Sequence, residues 1–148
     1  MKTKRILFIC TGNTCRSPMA ELILKEKLKN AGIKGIRVSS AGLMAEEKSK
    51  MSRHSFEALK LLGITNYSFR SKRVTHDILV KSDLIICMTI HHVEYLKGFE
   101  NVYSIGQFTG LKDVSDPYGG RLMDYIKTSH EIEDACNVIL EKLIERGE

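Results

Sequence analysis

Lys4-Arg-Ile-Leu-Phe-Ile-Cys10-Thr-Gly-Asn-Thr-Cys-Arg16-Ser-Pro18 changes character twice within a few residues. Lys4–Ile9, running into Cys10, is an apolar run of the length of a buried strand. Thr11–Ser17 is short and polar with one glycine. Ser17 followed by Pro18 then predicts a helix start, a cap hydroxyl before a proline at the first helical position. Met19, Leu22, Ile23, Leu28 and Ala31 give that helix a buried face to about Asn30, and Gly32 ends it.

The same alternation continues outward from this unit. Ile36–Ala41 reads as a second strand and Leu43–Met51 as loop. Ser52–Leu62 is expected to be helical through Phe56, Leu59 and Leu62, stopped by Gly63. Thr75–Val80 reads as a short helix capped by Thr75, Asp83–Met88 as a third strand, Ile90–Lys97 as helix and Asn101–Ile105 as a fourth strand. Gly106–Gly120 is a long polar loop. Arg121–Arg146 is the longest helix, with Leu122, Ile126, Ile132, Cys136, Ile139 and Leu143 on one stripe. Strands alternating with helices predict an α/β fold, a parallel sheet with helices on both faces. Ligands in such folds sit at the carboxyl ends of strands, where strand order reverses. The Cys10–Ser17 loop lies at such an end. A long loop before the last helix is uncommon in a compact domain unless it has a task.

Composition narrows the possibilities. The chain has 148 residues, 43% hydrophobic and 28% charged, values of one ordinary globular domain rather than a disordered chain. No apolar run approaches the roughly 18–20 residues that cross a bilayer. The longest early run, Ile6–Cys10, is too short for the apolar segment of a signal peptide, so a cytoplasmic location is expected. Net charge is +5, but Lys and Arg are scattered, aromatics are 7% and Trp is absent. That pattern disfavours nucleic acid and membrane as partners and favours small anions or phosphoproteins. The four cysteines, Cys10, Cys15, Cys87 and Cys136, form no C-x-x-C pair, and length argues against a secreted disulfide scaffold. The histidines show no zinc-ligand spacing, so no metal is expected. Cys87 and Cys136 read as core residues, and His91-His92 as a surface helix start.

Cys10-Thr-Gly-Asn-Thr-Cys-Arg16-Ser17 has the chemistry of an anion cradle. A loop entering a helix turns several backbone N–H groups toward one point, and the helix dipole adds about half a positive charge there. Gly12 is expected to let the backbone turn closely. Asn13 tolerates a left-handed conformation and can brace the loop through its amide. Arg16 offers a planar fork matched to two phosphate oxygens. Cys10 stands at the mouth in that positive field, which should hold it as a thiolate, with the Ser17 hydroxyl as donor to it. A thiolate on the floor of a phosphate cradle is a nucleophile aimed at phosphorus. The leaving group then needs an acid. Asp113-Val-Ser-Asp116-Pro-Tyr118-Gly-Gly120 offers Asp116 on a backbone stiffened by Pro117, with Tyr118 as a wall of the pocket. The bland alternative makes Asp116 a turn residue before proline.

Ile6–Glu21 as a whole resembles the N-terminal signature of the low-molecular-weight protein tyrosine phosphatases. Ser39-Ser-Ala-Gly42, Ser82-Asp-Leu-Ile-Ile-Cys-Met-Thr89 and Asp116-Pro-Tyr118 resemble that family too, in the same order. The resemblance implies a three-layer sandwich over residues 1–148, a four-stranded parallel sheet with flavodoxin-like winding. It implies that Cys10 attacks and forms a phosphocysteine, that Arg16 binds the phosphoryl oxygens, and that Asp116 protonates the leaving group and then activates water. It further implies that Asn13, with Ser40 behind it, holds a loop in which Thr11, Gly12, Asn13, Thr14, Cys15 and Ser17 surround a phosphate or sulfate ion. No cofactor is required, since arginine and backbone amides supply the positive charge. A monomer is expected. Family members often carry a histidine that supports the loop asparagine, and the matching place here is Phe69, which leaves Asn13 without that support.

Thr14 bears on the substrate. Tyrosine-directed members commonly have an aliphatic residue there, and Cys10–Ser17 with Asp116-Pro-Tyr118-Gly119-Gly120 is most similar to the protein arginine phosphatase branch. A polar wall suits a guanidinium leaving group, and Asp116 can hydrogen-bond its nitrogens. Phosphotyrosine is the alternative. Thioredoxin-coupled arsenate reductases share the loop, but Thr89 stands where their first relay cysteine is expected, and Cys87 is two residues early. A non-catalytic anion-binding module would need neither Cys10 nor Asp116. Cys15 follows Cys10 closely enough for a curled loop to bring them within disulfide range, roughly 4.4–6.8 Å between Cα atoms.

Overall fold

The computed structural model describes residues 4–145. Apolar, β-rich runs become strands β1 (Lys4–Cys10), β2 (Ile36–Gly42), β3 (Leu84–Cys87) and β4 (Val102–Ser104), all parallel, in the order β2-β1-β3-β4. The first strand is thus central, and Ile6 through Cys10 are all buried. Period-two alternation sorts them: Ile6, Phe8 and Cys10 enter the larger core, while Leu7 and Ile9 enter a smaller core on the opposite face. Strand order reverses between β1 and β3, so the crevice forms beyond the carboxyl end of β1.

Helices α1 (Arg16–Asn30), α2 (Arg53–Leu61) and α6 (Leu122–Glu145) cover the larger core. Helix α3 (His76–Lys81) and the chain after α4 (Ile90–Glu94) cover the other face, through Leu79 and Leu96. The four-stranded parallel sheet between two helical layers is the expected architecture. The expected cap Thr75 accepts an amide hydrogen bond at the start of α3, and Ser52, the expected first residue of the second helix, does the same for α2.

Several local expectations are corrected. Helix α1 begins at Arg16 with Cys15 as its cap residue, and no side chain caps it. Pro18 is therefore in the first turn but not its first residue, where its missing N–H still costs no helical bond. Phe56 is exposed, because α2 buries Ser55, Ala58 and Leu59 instead. The loop expected over 106–120 begins with a further helix, α5 (Ile105–Thr109), capped reciprocally by Ser104 and Gln107 and ended by Gly110 at φ 79°. In α6 the stripe is led by buried Tyr125, with Leu122 and Ile126 only partly covered. Arg146, the last residue of the expected helix, lies outside the described residues.

Candidate active site

The loop between β1 and α1 is held by its carbonyls. Cys10 O accepts from Leu43 N (3.0 Å), Thr11 O from Met44 N (2.9 Å), and Thr14 O from Ser52 N (2.9 Å). Among the described residues no hydrogen bond engages the amides of Gly12 through Ser17. With its acceptors turned outward and its donors free, the loop curls as a ring of N–H groups at a helix N-terminus.

Asn13 is the brace. It is fully buried, at φ 54°. Its Nδ2 donates to Ser17 Oγ and Ser40 Oγ, each at 2.9 Å, and its Oδ1 accepts from the Lys72 main-chain N–H at 2.9 Å. The amide is satisfied without any histidine. Phe69 sits buried nearby in sequence, and the backbone of Lys72 does the work instead. Ser40 donates onward to Glu21 Oε1 (2.6 Å), and Glu21 Oε2 pairs with Lys25 (2.7 Å).

Ser17 Oγ already accepts from Asn13, so its proton goes to Cys10 Sγ, 2.8 Å away. Arg16 is 4% exposed, and its Nη1 donates to Val114 O at 2.9 Å. Its Nη2 lies 3.7 Å from Asp116 Oδ2. Asp116 is half-exposed at the rim, and its Oδ1 accepts from Tyr118 N (3.0 Å), an Asx turn across Pro117. The loop carrying it is stitched down by Val114 N to Met88 O and by Asp113, which accepts from Ile90 N and Gly106 N.

Cys10, Thr11, Gly12, Thr14, Cys15, Arg16, Asp116 and Tyr118 line one cleft of about 240 Å³. The sequence-expected residues are thereby brought together, with Asn13 and Ser17 immediately behind. Tyr118 is 80% exposed and stands at the rim rather than as a packed wall. Gly12 does not have the tight geometry expected of it: its φ is not positive, and a β-carbon there would meet only Thr14 Oγ1 at 3.7 Å. The close approach belongs to Gly42, where a β-carbon would stand 2.6 Å from Thr11 O and 2.8 Å from Asn13 N.

His92 is the residue that sequence reasoning missed. It is buried rather than on the surface. Thr89 N donates to its Nδ1 (3.2 Å), which leaves the Nε2 proton of the neutral ring to donate to Thr11 Oγ1 (3.0 Å). Burial first, then the Arg16 charge, push its pKa down to about 4, so it is neutral at physiological pH. Cys15 Sγ lies 3.6 Å from the Tyr125 hydroxyl, and all four cysteines are free thiols. Among the described residues no group of three or more His, Cys, Asp or Glu side chains is placed to hold a metal ion.

A buried sulfur below a ring of main-chain donors, flanked by a guanidinium and faced by a carboxylate, can take up a tetrahedral dianion and transfer its central atom. The sequence profile of the low molecular weight phosphotyrosine protein phosphatases matches residues 5–148. The chain belongs to that family. Among its relatives is the protein-arginine-phosphatase of Bacillus subtilis strain 168, 33% identical over 93% of this chain and 95% of that one. The YwlE arginine phosphatase of Geobacillus stearothermophilus superposes with a TM-score of 0.86 at 33% identity, over 97% and 94% of the two chains. The low molecular weight protein tyrosine phosphatase of T. tengcongensis does so with a TM-score of 0.86 at 38% identity, over 95% and 99%.

As a low molecular weight phosphatase the protein is a cysteine-based hydrolase. The reductase alternative lacks its relay. Cys87 is fully buried and pushed up to about 12, by burial first and then by Asp113 and Cys10. Such a thiol offers no thiolate for exchange. Thr89 is the cap residue of α4. Among the described residues no helix is long and apolar enough to cross a membrane.

Proposed function

We propose that the chain is a protein arginine phosphatase. Cys10 Sγ attacks the phosphorus of a phosphoarginine side chain. The P–N bond breaks as the S–P bond forms, and Asp116 gives its proton to the departing guanidine nitrogen. Arg16 and the loop amides hold the equatorial oxygens, whose charge is greatest in the transition state. Asp116, now ionised, takes a proton from water, whose oxygen displaces Cys10 and releases phosphate. Ser17, as donor to the sulfur, and Asn13, as brace, keep the cradle in shape. Residues 1–148 act as one phosphatase domain, monomeric and cytoplasmic, taking phosphate or sulfate in the loop.

The observation that carries the arginine reading is the lining of the cleft, where the Thr14 hydroxyl and the Asp116 carboxylate both border the space beside Cys10. Both are polar partners for guanidinium nitrogens. Gly119 and Gly120 contribute no second aromatic wall. The alternative, phosphotyrosine, draws on Tyr118 at the rim as a ring that an aryl substrate could stack upon. Turnover of phosphoarginine and phosphotyrosine peptides by the wild type and Thr14→Ile separates the two. A loss of phosphoarginine turnover with a gain on phosphotyrosine is expected, and equal preference in both proteins removes Thr14 from specificity.

A further inference from the structure

A second concavity, at about 590 Å³ larger than the 240 Å³ cleft over Cys10, lies elsewhere on the molecule. It runs along the outer edge of β2, between α1 and α3. Its cations are Arg5, Lys25, Arg37, Lys72 and Lys81. Lys25 pairs with Glu21, and Lys81 with Asp77, which also lines the groove. Arg5, Arg37 and Lys72 have no ion-pair partner among the described residues. Arg5 and Arg37 are register partners on adjacent strands. Like charges directly opposite each other destabilise a sheet. The groove therefore carries an exposed positive pair without an ion-pair partner among the described residues.

The strand edge adds a second, independent feature. Lys4 N bonds Gly35 O and Leu43 N bonds Cys10 O, so the odd-numbered residues of β2 turn their main-chain groups toward β1. The even-numbered ones face outward. Gly42 uses its outward groups on the Lys72–Val74 segment. Ile36 and Val38, both lining the groove, have no main-chain partner on that side among the described residues. Ser40 is buried, so the open edge runs from Ile36 to Val38, roughly 10 Å, room for main-chain pairing over about three residues.

We propose that this groove docks an extended acidic peptide segment of a partner protein, added to the sheet beside β2, with its carboxylates at Arg5, Arg37 and Lys72. Main-chain pairing gives such a segment its register, and the cations select its charge. Among the described residues no aromatic side chain lines the groove to stack bases, which disfavours single-stranded nucleic acid. A recessed strand edge also cannot meet a flat lipid surface. Cations on an edge strand can serve only to repel other sheets. That reading predicts no peptide affinity at all. Two groove residues reach the phosphate loop, Lys72 through its amide to Asn13 and Lys25 through Glu21 and Ser40, but the docking itself needs no phosphatase chemistry.

The test is fluorescence anisotropy of a fluorescein-labelled Glu-rich decapeptide, with inorganic phosphate present to occupy the loop. Saturable binding that weakens with salt is expected. Arg5→Glu/Arg37→Glu should lose roughly ten-fold or more in affinity, while its p-nitrophenyl phosphate turnover stays at the wild-type level. Should that variant fold poorly by circular dichroism, Arg5→Gln/Arg37→Gln replaces it with the same expectation. A peptide N-methylated at alternate residues should also bind roughly ten-fold or more weakly, since it loses its main-chain donors. The proposal is overturned by absence of saturable binding, by equal affinity of the arginine variants, or by indifference to N-methylation. It is equally overturned if single-stranded RNA or anionic vesicles compete the peptide away at lower charge concentration.

Discussion

Gly42 and Thr11 meet where β2 ends against the Thr11–Cys15 loop, and a β-carbon on Gly42 would lie 2.6 Å from the Thr11 carbonyl oxygen. Two of the three nearest atoms, Thr11 O and Asn13 N, are backbone and the third is Ala45 Cβ at 2.9 Å, so the loop itself must shift to admit a side chain. Gly42→Ala should cost about 1–3 kcal/mol in chemical denaturation, the usual penalty of overpacking. It should also lower aryl phosphate turnover more than it lowers stability at the assay temperature. Full activity in that variant would mean that the loop is more compliant than its hydrogen bonds suggest.

Removing the sulfur separates binding from chemistry. Cys10→Ser should have no measurable turnover of p-nitrophenyl phosphate, yet still bind inorganic phosphate by calorimetry, because Arg16 and the amides remain. Residual turnover would assign the nucleophile elsewhere.

Asp116→Ala should slow turnover by roughly 10²–10⁴-fold on substrates with poor leaving groups. The loss should shrink on aryl phosphates that need no proton. A loss independent of the leaving group would make Asp116 a structural partner of Arg16 rather than an acid.

His92 ties folding to pH. Its pKa is about 4 in the folded protein against 6.5 for an unperturbed histidine. Between those values the unfolded chain holds a proton that the native ring refuses, so stability falls as pH drops from about 6.5 to about 4. Denaturation of His92→Asn across that window should show a flatter pH dependence than the wild type. An unchanged slope would mean that other groups carry the acid sensitivity.

Peroxide gives a further test. Oxidation of Cys10 and Cys15 to a disulfide, with the peroxide reduced to water, should inactivate the enzyme reversibly. Cys15→Ser should then recover less activity under thiol than the wild type does. Equal recovery removes Cys15 from any protective role.

Much of this site was legible because one continuous stretch carries it. Strand, loop and helix are consecutive, and Cys10, Asn13, Arg16 and Ser17 need only local geometry to meet. Asp116 was readable as a candidate from its Pro-Tyr context, but its facing Arg16 depends on stitching by Asp113 and Val114 that spacing alone does not reveal. The support of Asn13 was misjudged because a main-chain donor leaves no mark on residue identity: any residue at position 72 has an N–H. Two signals were present and overlooked. Ser104-x-x-Gln107 is a capping-box pattern and announces α5. Thr89 and His92 have that same spacing, with an imidazole in place of the amide, and so His92 was read as surface. Ser17 misled in the other direction, since a cap residue and a donor to sulfur look identical in sequence.

Both donors and the oxygen of the Asn13 side chain end on protein, so residues 11–17 are held in the shape that the proposed phosphate cradle requires. An incoming phosphoryl group then gives up only its own freedom and its water, with no entropy spent on organising residues 11–17. Hydrogen exchange at those amides should accordingly slow by shielding alone on phosphate binding, while the exchange of β1 and α1 on either side stays as it was.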